Sequence, residues 1–237
     1  MSAGASIQEN HYHKVGVGGL LREAVFGFND GLVSTFAVIT GLFGGSLNQK
    51  TILLGALATL VAGAFSMGLG TFLGTKSERD HYESERRREL WEMKHMPEKE
   101  RDEIREIYAA KGFEGELLEQ VVKKITANKE LWLETMMREE LGFAEVPPSP
   151  IKNGITMSIS FVIGSAIVTI PYFFSADFLS LFYISTALAV LALLAAGAVK
   201  TYFTKMNPLL SAFETFAVGA LAAGASYGVG LLISPQI

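Results

Sequence analysis

The residues best suited to chemistry in this chain are acidic, and one of them, Asp30, lies in a long apolar run. The run "FGFNDGLVSTFAVITGLFGG" covers residues 26–45 and is long enough to cross a membrane. A carboxylate at that depth is costly unless it faces a partner or a water-filled path, so Asp30 is predicted to be functional. The alternative is a structural Asp30 held by the backbone or by Asn29.

Met67 is the second candidate in the apolar part of the chain. At 1.5 Å per residue, Asp30 lies about 13 Å from the start of its helix at Leu21, and Met67 about 12 Å from the end of its helix at Thr75. A carboxylate and a thioether at one depth on adjacent antiparallel helices favour a transit site for a soft-to-borderline divalent cation. Met67 taken alone is more typical of a packing residue.

Two further acids in apolar segments have open interpretations. Glu23, at the mouth of the first segment, is either a buried acid or a side chain at the headgroup level. Glu214, in the last segment, is either a buried acid or the partner of Lys200 or Lys205 in an ion pair.

A second group of candidates lies in the charged middle of the chain, where acids and methionines recur at intervals of three and four residues. This spacing places side chains on one face of a helix. Three predicted helices contribute to the group: Glu85, Glu89 and Glu92; Glu100 and Glu103; Met136, Met137 and Glu140. Carboxylates alone suit Ca²⁺, Mg²⁺ or Mn²⁺, and added methionine sulfur moves the expectation toward Fe²⁺ and its neighbours. The alternative is a solvated charged face with intrahelical Glu–Arg pairs and core methionines, and His81 and His95 are weaker candidates.

The charges are strongly partitioned along the chain of 237 residues. Residues 76–152 hold 15 of the 20 Lys and Arg and 19 of the 24 Asp and Glu. Five segments outside this block are long and apolar enough to span a membrane: roughly 21–44, 51–75, 153–174, 178–200 and 209–233. Small residues are dense within them, as expected where helices pack closely in lipid.

The distribution of Lys and Arg predicts the orientation. With the N-terminus inside, Lys14, Arg22, Lys200, Lys205 and the charged block share the inner side, whereas the outer side carries only Lys50. The N-terminus and the block are therefore predicted to be cytosolic, and the C-terminus lies outside.

Several classes of function find no support in the sequence. A formal charge of −4 with mixed signs does not favour nucleic acid as a partner. There is no Cys for a disulfide or a thiolate metal site, and the first twenty residues lack the pattern of a cleavable signal peptide. Walker-type loops, HExxH and Ser/His/Asp sets are absent, so neither ATP-driven transport nor an enzyme is predicted.

Together these observations predict an all-α integral membrane protein with five transmembrane helices and a cytosolic three-helix metal-binding domain between the second and third. Residues 1–20 form an N-terminal cytosolic tail, 21–75 the first two spans, 76–150 the inserted domain and 151–237 the last three spans. Within the insert, a helix over about 76–95 continues the second span. Pro97 begins the next helix, and Asn128 caps the last one.

The segments "REAVFGFNDGLVSTFA", "AGAFSMGLGTFLGTKSERDHYESE", "WLETMMREELG", "IPYFF" and "VKTYFT" resemble the vacuolar iron transporter family, in order from Arg22 to the fifth span. The resemblance implies a homodimer of five-helix subunits that exchanges cytosolic Fe²⁺ for protons along a path between the subunits. It also implies that this path is lined by the first two spans with Asp30 and Met67. The implied metal-binding positions of the inserted domain are Glu89, Glu92, Glu100, Glu103, Met136, Met137 and Glu140.

The chain departs from the family pattern at two positions. Plant members often carry Glu where this chain has Thr59, and they can carry Glu where it has Gly19. Proton coupling is then expected to depend more on Asp30 and Glu23.

The sequence thus predicts a proton-coupled transporter that moves Fe²⁺, and by the same chemistry Mn²⁺, Co²⁺ or Zn²⁺, out of the cytosol. Metal is the substrate, with no prosthetic group, and the partners are membrane lipid, divalent metal ions, protons and a second subunit. A prokaryotic plasma membrane and a vacuole-like membrane fit equally well. The rival hypothesis is a membrane-anchored metal buffer or sensor that binds metal but does not transport it, and Asp30 is the feature that opposes it.

Overall fold

The structure, a computed structural model, describes residues 3–45 and 48–234, with side chains described for all of these except 3–18, 203 and 204. The described residues form helices joined by turns and short loops, and no strand occurs among them. The eight α-helices are α1 (Ala3–Gly44), α2 (Gln49–His95), α3 (Pro97–Ala110), α4 (Gly115–Thr126), α5 (Lys129–Thr135), α6 (Pro150–Thr169), α7 (Phe178–Thr204) and α8 (Pro208–Ile233). A π-helical turn, Met136–Glu140, follows α5, and a 3₁₀ turn, Ile170–Phe173, follows α6.

Five of these helices are long and apolar enough to cross a membrane, as the sequence predicts. Their bounds are Gly19–Gly44, Gln49–His95, Pro150–Phe173, Phe178–Tyr202 and Pro208–Ile233. Local chemistry sets the helix starts: Asn207 accepts hydrogen bonds from the backbone N–H groups of Leu209 and Leu210 ahead of the first-turn Pro208. α2 runs unbroken to His95, so the prediction that the helix over 76–95 continues the second span is confirmed.

The chain divides into two compact units, residues 1–73 with 150–237 and residues 74–149. In the first unit α1 packs along α6 and α8, and α7 packs on α8. Small residues allow the closest approach: a Cβ on Gly27 would lie 2.7 Å from the carbonyl oxygen of Met157. About two turns further along each helix, the hydroxyl of Thr35 donates to that of Ser165 at 2.9 Å. These contacts align α1 and α6 in parallel along the face that carries Gly27 and Thr35.

The second unit is formed by the second half of α2 and by α3, α4 and α5 with the π turn. Its core combines apolar side chains from all of these elements: Met93, Ile104, Val122, Ile125, Trp132, Leu133, Met136 and Met137. Asn128 caps α5 as predicted, because its side chain accepts from the backbone N–H groups of Glu130 and Leu131 at 2.9 and 3.1 Å. The unit therefore closes around its own apolar core, and the acidic side chains described next lie against that core.

Candidate metal centre

Carboxylates from two helices converge in the second unit. α2 supplies Glu89 and Glu92, and α3 supplies Glu100, and one carboxylate oxygen of each lies within 4.8 Å of the others. Glu89 and Glu100 are both 0% exposed. We call these three residues the acidic cluster. The helical spacing of four and three residues predicts that these acids share one face of each helix, and the convergence of Glu89 and Glu92 with Glu100 shows that the two faces meet.

The chemistry of the cluster fits a cation. Glu89 Oε2 and both carboxylate oxygens of Glu100 are buried and have no hydrogen-bond donor among the described residues. Burying a carboxylate without a donor is expensive, because the charge loses its hydration with no replacement. Hard and borderline divalent cations take oxygen ligands of this kind, so a metal ion would satisfy the three oxygens at once.

Burial also changes the protonation of the cluster. Burial, with the charges of Glu103 and Glu89 as smaller causes, raises the pKa of Glu100 to about 7. The pKa of Glu89 is also raised, mainly by burial, although the hydrogen bond from Arg88 opposes the shift. Near neutral pH Glu100 is therefore partly protonated, and a metal ion that binds it must displace that proton.

Glu103 and Glu140, two other predicted ligands, are electrostatically coupled to the cluster. Burial, followed by the charges of Glu89 and Glu103, raises the pKa of Glu140 to about 7. Glu103 is partly exposed and forms an ion pair with Lys99 at 2.8 Å. Both acids contribute to the field around the cluster, and their role as direct ligands stays a prediction.

The two predicted methionine ligands lie on the π-helical turn that also carries Glu140. Met136 and Met137 are buried in the apolar core of this unit. The turn is widened because Leu141 N–H donates to the carbonyl of Met136 at 3.2 Å and Phe143 N–H to that of Met137 at 2.9 Å. π turns are frequent at functional sites, which favours a role for this segment beyond packing. Coordination through the methionine sulfurs stays a prediction.

The rings of the two weaker candidates, His81 and His95, both pack against aromatic side chains. The ring of His81 packs against Phe143 with centroids 5.6 Å apart. His95 stacks on Trp91 at 4.5 Å, and its Nδ1 donates to the Trp91 carbonyl oxygen at 2.8 Å. Neither belongs to the acidic cluster. The side chains of His11 and His13 lie outside the described residues.

Asp30 lies in the first unit, on a partly exposed part of α1. Its backbone carbonyl accepts from the Ser34 hydroxyl at 2.6 Å, but among the described residues its carboxylate has no hydrogen bond or ion pair. The neighbouring Asn29 Oδ1 is buried without a donor in the same part of the structure. The structural alternative, in which the backbone or Asn29 holds Asp30, therefore has no contact to support it.

Packing of α1 on α2 sets the depth of Met67 relative to Asp30. A Cβ on Gly55 would meet the side chains of Leu42 and Val38. Near Asp30 the level is set through Phe161 of α6, because a Cβ on Gly31 would meet its backbone and a Cβ on Gly63 would meet its ring. Met67, also partly exposed, is therefore within about one helical turn of the level of Asp30.

Glu23 is buried, with only 5% of its surface exposed. Arg22 Nη2 donates to its carboxylate at 2.7 Å, and Arg22 itself extends into the surroundings. Glu23 thus has a charged neighbour that Asp30 lacks. Glu214 lies on an exposed face of α8.

Sequence reasoning missed two cations at the acidic cluster, Arg88 and Lys99. Arg88 lies 2.9 Å from Glu85 and 3.3 Å from Glu89, and Lys99 approaches Glu103 and Glu100. The signal was present in the spacing, because each cation stands three or four residues from an acid on its own helix. That spacing predicts a solvated ion pair, and it does not reveal that the acids are buried against a second helix.

Comparison with known proteins identifies close relatives across most of the chain. A family model described as the VIT family matches residues 21–231. The chain is 38% identical over 236 residues to vacuolar iron transporter 1 of Oryza sativa subsp. japonica, which covers 98% of this chain and 94% of that protein. It is 37% identical to vacuolar iron transporter 1 of Arabidopsis thaliana, over 89% of this chain and 84% of that protein. It is 31% identical to a vacuolar iron transporter of Toxoplasma gondii, over 90% and 74% respectively.

Proposed function

The chain belongs to the VIT family, and from this premise we propose that it moves Fe²⁺ out of the cytosol across a membrane in exchange for protons. Family membership and five apolar helices indicate an integral membrane protein that transports metal ions. Its relatives are transporters, and we propose no enzymatic activity. Mn²⁺, Co²⁺ and Zn²⁺ are further proposed substrates, because carboxylate and thioether ligands accept the same range of divalent ions.

The observation that carries the proposal is the acidic cluster of Glu89, Glu92 and Glu100. Glu89 Oε2 and both oxygens of Glu100 are buried without a donor in the described part of the chain, and the three carboxylates converge from two helices to within 4.8 Å. In this proposal the cluster collects the metal ion on the cytosolic side. Glu103, Glu140, Met136 and Met137 complete or surround the site.

Asp30 and Met67 are the proposed ligands within the membrane. The carboxylate of Asp30 has no hydrogen bond or ion pair among the described residues and lies on a helix long enough to span a membrane. Such a carboxylate is typical of an ion pathway, whereas a helix that only anchors a protein has no use for it. Binding of metal requires the carboxylate to lose its proton, and release on the far side follows when it regains one. Glu23 is proposed as a second group that exchanges protons.

The proposed homodimer would place two copies of this pathway together. On the exposed side of α2, small residues stand at every fourth position: Ala58, Ala62, Ser66 and Gly70. A Cβ on Gly70 would meet nothing within 4 Å, so this side is open to an approaching helix. Small residues at this interval allow transmembrane helices to pack closely, which supports a second subunit at this face. We further propose a cytosolic N-terminus and metal-binding unit, in a prokaryotic plasma membrane or a vacuole-like membrane.

Flux through reconstituted protein tests the proposal. Fe²⁺ uptake into liposomes would be measured with and without an acidic interior, for the wild type and for Asp30→Asn. Asp177→Asn is the matched control: it removes one carboxylate from the same unit, and Asn caps a helix as well as Asp does. We expect gradient-dependent uptake that Asp30→Asn abolishes and Asp177→Asn retains.

Each alternative gives a different result in this assay. Uptake that ignores the pH gradient would indicate a channel and contradict proton coupling. Metal binding without flux under either condition would contradict transport and leave a membrane-anchored buffer or sensor.

A further inference from the structure

Arg88 lies against one side of the acidic cluster. Its guanidinium lies 2.9 Å from Glu85, 3.3 Å from Glu89 and 3.9 Å from Glu92. Two members of the acidic cluster thus share one cation, and that cation contacts Glu89 Oε1 while Glu89 Oε2 has no donor among the described residues.

Lys99 stands in a similar relation to the other helix of the cluster. Its ammonium group lies 2.8 Å from Glu103 and 3.9 Å from Glu100. The distance to Glu100 is too long for a hydrogen bond, so Lys99 compensates charge without satisfying the buried oxygens.

The cations and the acids differ in their freedom to move. The side chains of Arg88 and Lys99 are 47% and 56% exposed, whereas those of Glu89 and Glu100 are 0% exposed. Rotation of an exposed Arg or Lys into water restores its hydration and its rotamer freedom. The glutamates are buried and have little freedom to move. When a ligand binds to the cluster, Arg88 and Lys99 are therefore the groups that move away into water.

Charge balance identifies that ligand. Arg88 and Lys99 together bring two positive charges to the cluster, and a divalent metal ion brings the same charge in one particle. A metal ion also reaches the oxygens that neither cation contacts, Glu89 Oε2 and both of Glu100. For the ionised cluster, exchange of the two cations for one metal ion therefore keeps the local charge and satisfies the orphaned oxygens.

We propose that Arg88 and Lys99 are the resident counter-ions of the acidic cluster, displaced when a divalent metal binds, and that they set the metal affinity of the site. The inference depends on the proposed metal site at this cluster. In the metal-free protein the two cations reduce repulsion between the carboxylates, and during binding they compete with the metal ion.

The test compares neutral variants of these cations by titration of Mn²⁺ into the purified full-length protein. Arg88→Gln and Lys99→Gln are each expected to lower the Kd about tenfold, equivalent to about 1.4 kcal/mol. Arg105→Gln is the matched control, because Arg105 is an exposed cation of the same unit that pairs with Glu119 at 2.7 Å and with Asp102, outside the cluster. We expect its Kd to match the wild type.

The outcomes separate this inference from the proposed function. Unchanged or weaker Mn²⁺ binding in both Arg88→Gln and Lys99→Gln would overturn the counter-ion role, since a positioning role predicts weaker binding. An equal gain in Arg105→Gln would also overturn it, because the effect would then be one of net charge alone. If Glu100→Gln leaves wild-type binding intact, the metal site itself is refuted. The two variants lie on different helices, so misfolding of one leaves the other as a test.

Discussion

Metal binding at the acidic cluster is expected to depend steeply on pH. Glu100→Gln tests whether this dependence arises from the proton that Glu100 must lose before metal binds. Glu100 and Glu140 both have a pKa of about 7, chiefly through loss of hydration, although Glu100 is fully buried and Glu140 keeps an exposed surface. A metal ion binds the ionised carboxylates, so each proton that remains on the site competes with it. The apparent affinity should therefore rise as the pH rises through 7.

The size of the effect follows from the two pKa values. For one group with a pKa of about 7, the requirement for ionisation lowers the apparent Kd about tenfold between pH 6 and pH 8, and two such groups lower it about a hundredfold. Glu100→Gln removes one of the groups, so the change should fall from about a hundredfold to about tenfold. At pH 8 the same substitution removes a ligand and should weaken binding by about tenfold to a hundredfold.

Equilibrium titration of Mn²⁺ into detergent-purified protein at pH 6, 7 and 8 measures both quantities. Glu98→Gln serves as the control, because Glu98 lies on the same helix, is exposed and pairs with Arg101 rather than with the cluster. An unchanged pH dependence in Glu100→Gln would refute the reasoning, because it would show that Glu100 does not exchange its proton for metal.

Three further predictions concern stability. Gly31→Ala should destabilise the first unit by about 1–3 kcal/mol, since the new Cβ would overlap the carbonyl oxygen of Phe161. Gly224→Ala is the control and should be neutral or stabilising, because a Cβ there meets nothing within 4 Å. If Gly31→Ala and Gly224→Ala had equal thermal unfolding midpoints, the packing argument would be contradicted. Asn128→Ala should lower the free energy of unfolding by about 1 kcal/mol, because two cap hydrogen bonds are lost. Denaturant unfolding measures this change, and an unchanged midpoint would show that the cap does not stabilise the protein. Finally, the folded-state pKa of Glu100, about 7, exceeds the ordinary value of 4.5, so its stabilising contribution is complete below pH 4.5 and is lost as the pH rises to 7. The metal-free protein should lose about 3 kcal/mol over that window, and thermal scans of Glu100→Gln that show the same loss would refute this.

The membrane-spanning part of the fold was predictable because its determinants are local. A run of apolar residues of sufficient length satisfies its backbone hydrogen bonds only as a helix in lipid, so the five spans are visible in sequence. Helix starts at Pro97 and Pro208 and the cap at Asn128 are likewise local, since each depends on the backbone of the next few residues.

The candidate site was predictable only in part. The spacing on each helix predicted that Glu89 and Glu92, and separately Glu100, face one way, because a helical face is a local property, and the three carboxylates do converge. The π turn at Met136–Glu140 was not predictable, since its widened hydrogen bonds depend on packing of Met136 and Met137 into the core. The same limit applies to Arg88, whose sequence spacing is identical for a solvated ion pair and for a cation over buried carboxylates.

By itself, then, the sequence determined where helices form, which of them are apolar enough for a membrane and which faces carry acids, because propensity, capping and hydrophobic length act over a few residues. Tertiary structure decided which of those acids lose their water. Glu89 and Glu100 are ordinary charged residues until α2 and α3 pack together and bury them both. Burial raises their pKa values and leaves Glu89 Oε2 and both oxygens of Glu100 without a donor among the described residues, which is why we propose a metal site on these two charged helix faces.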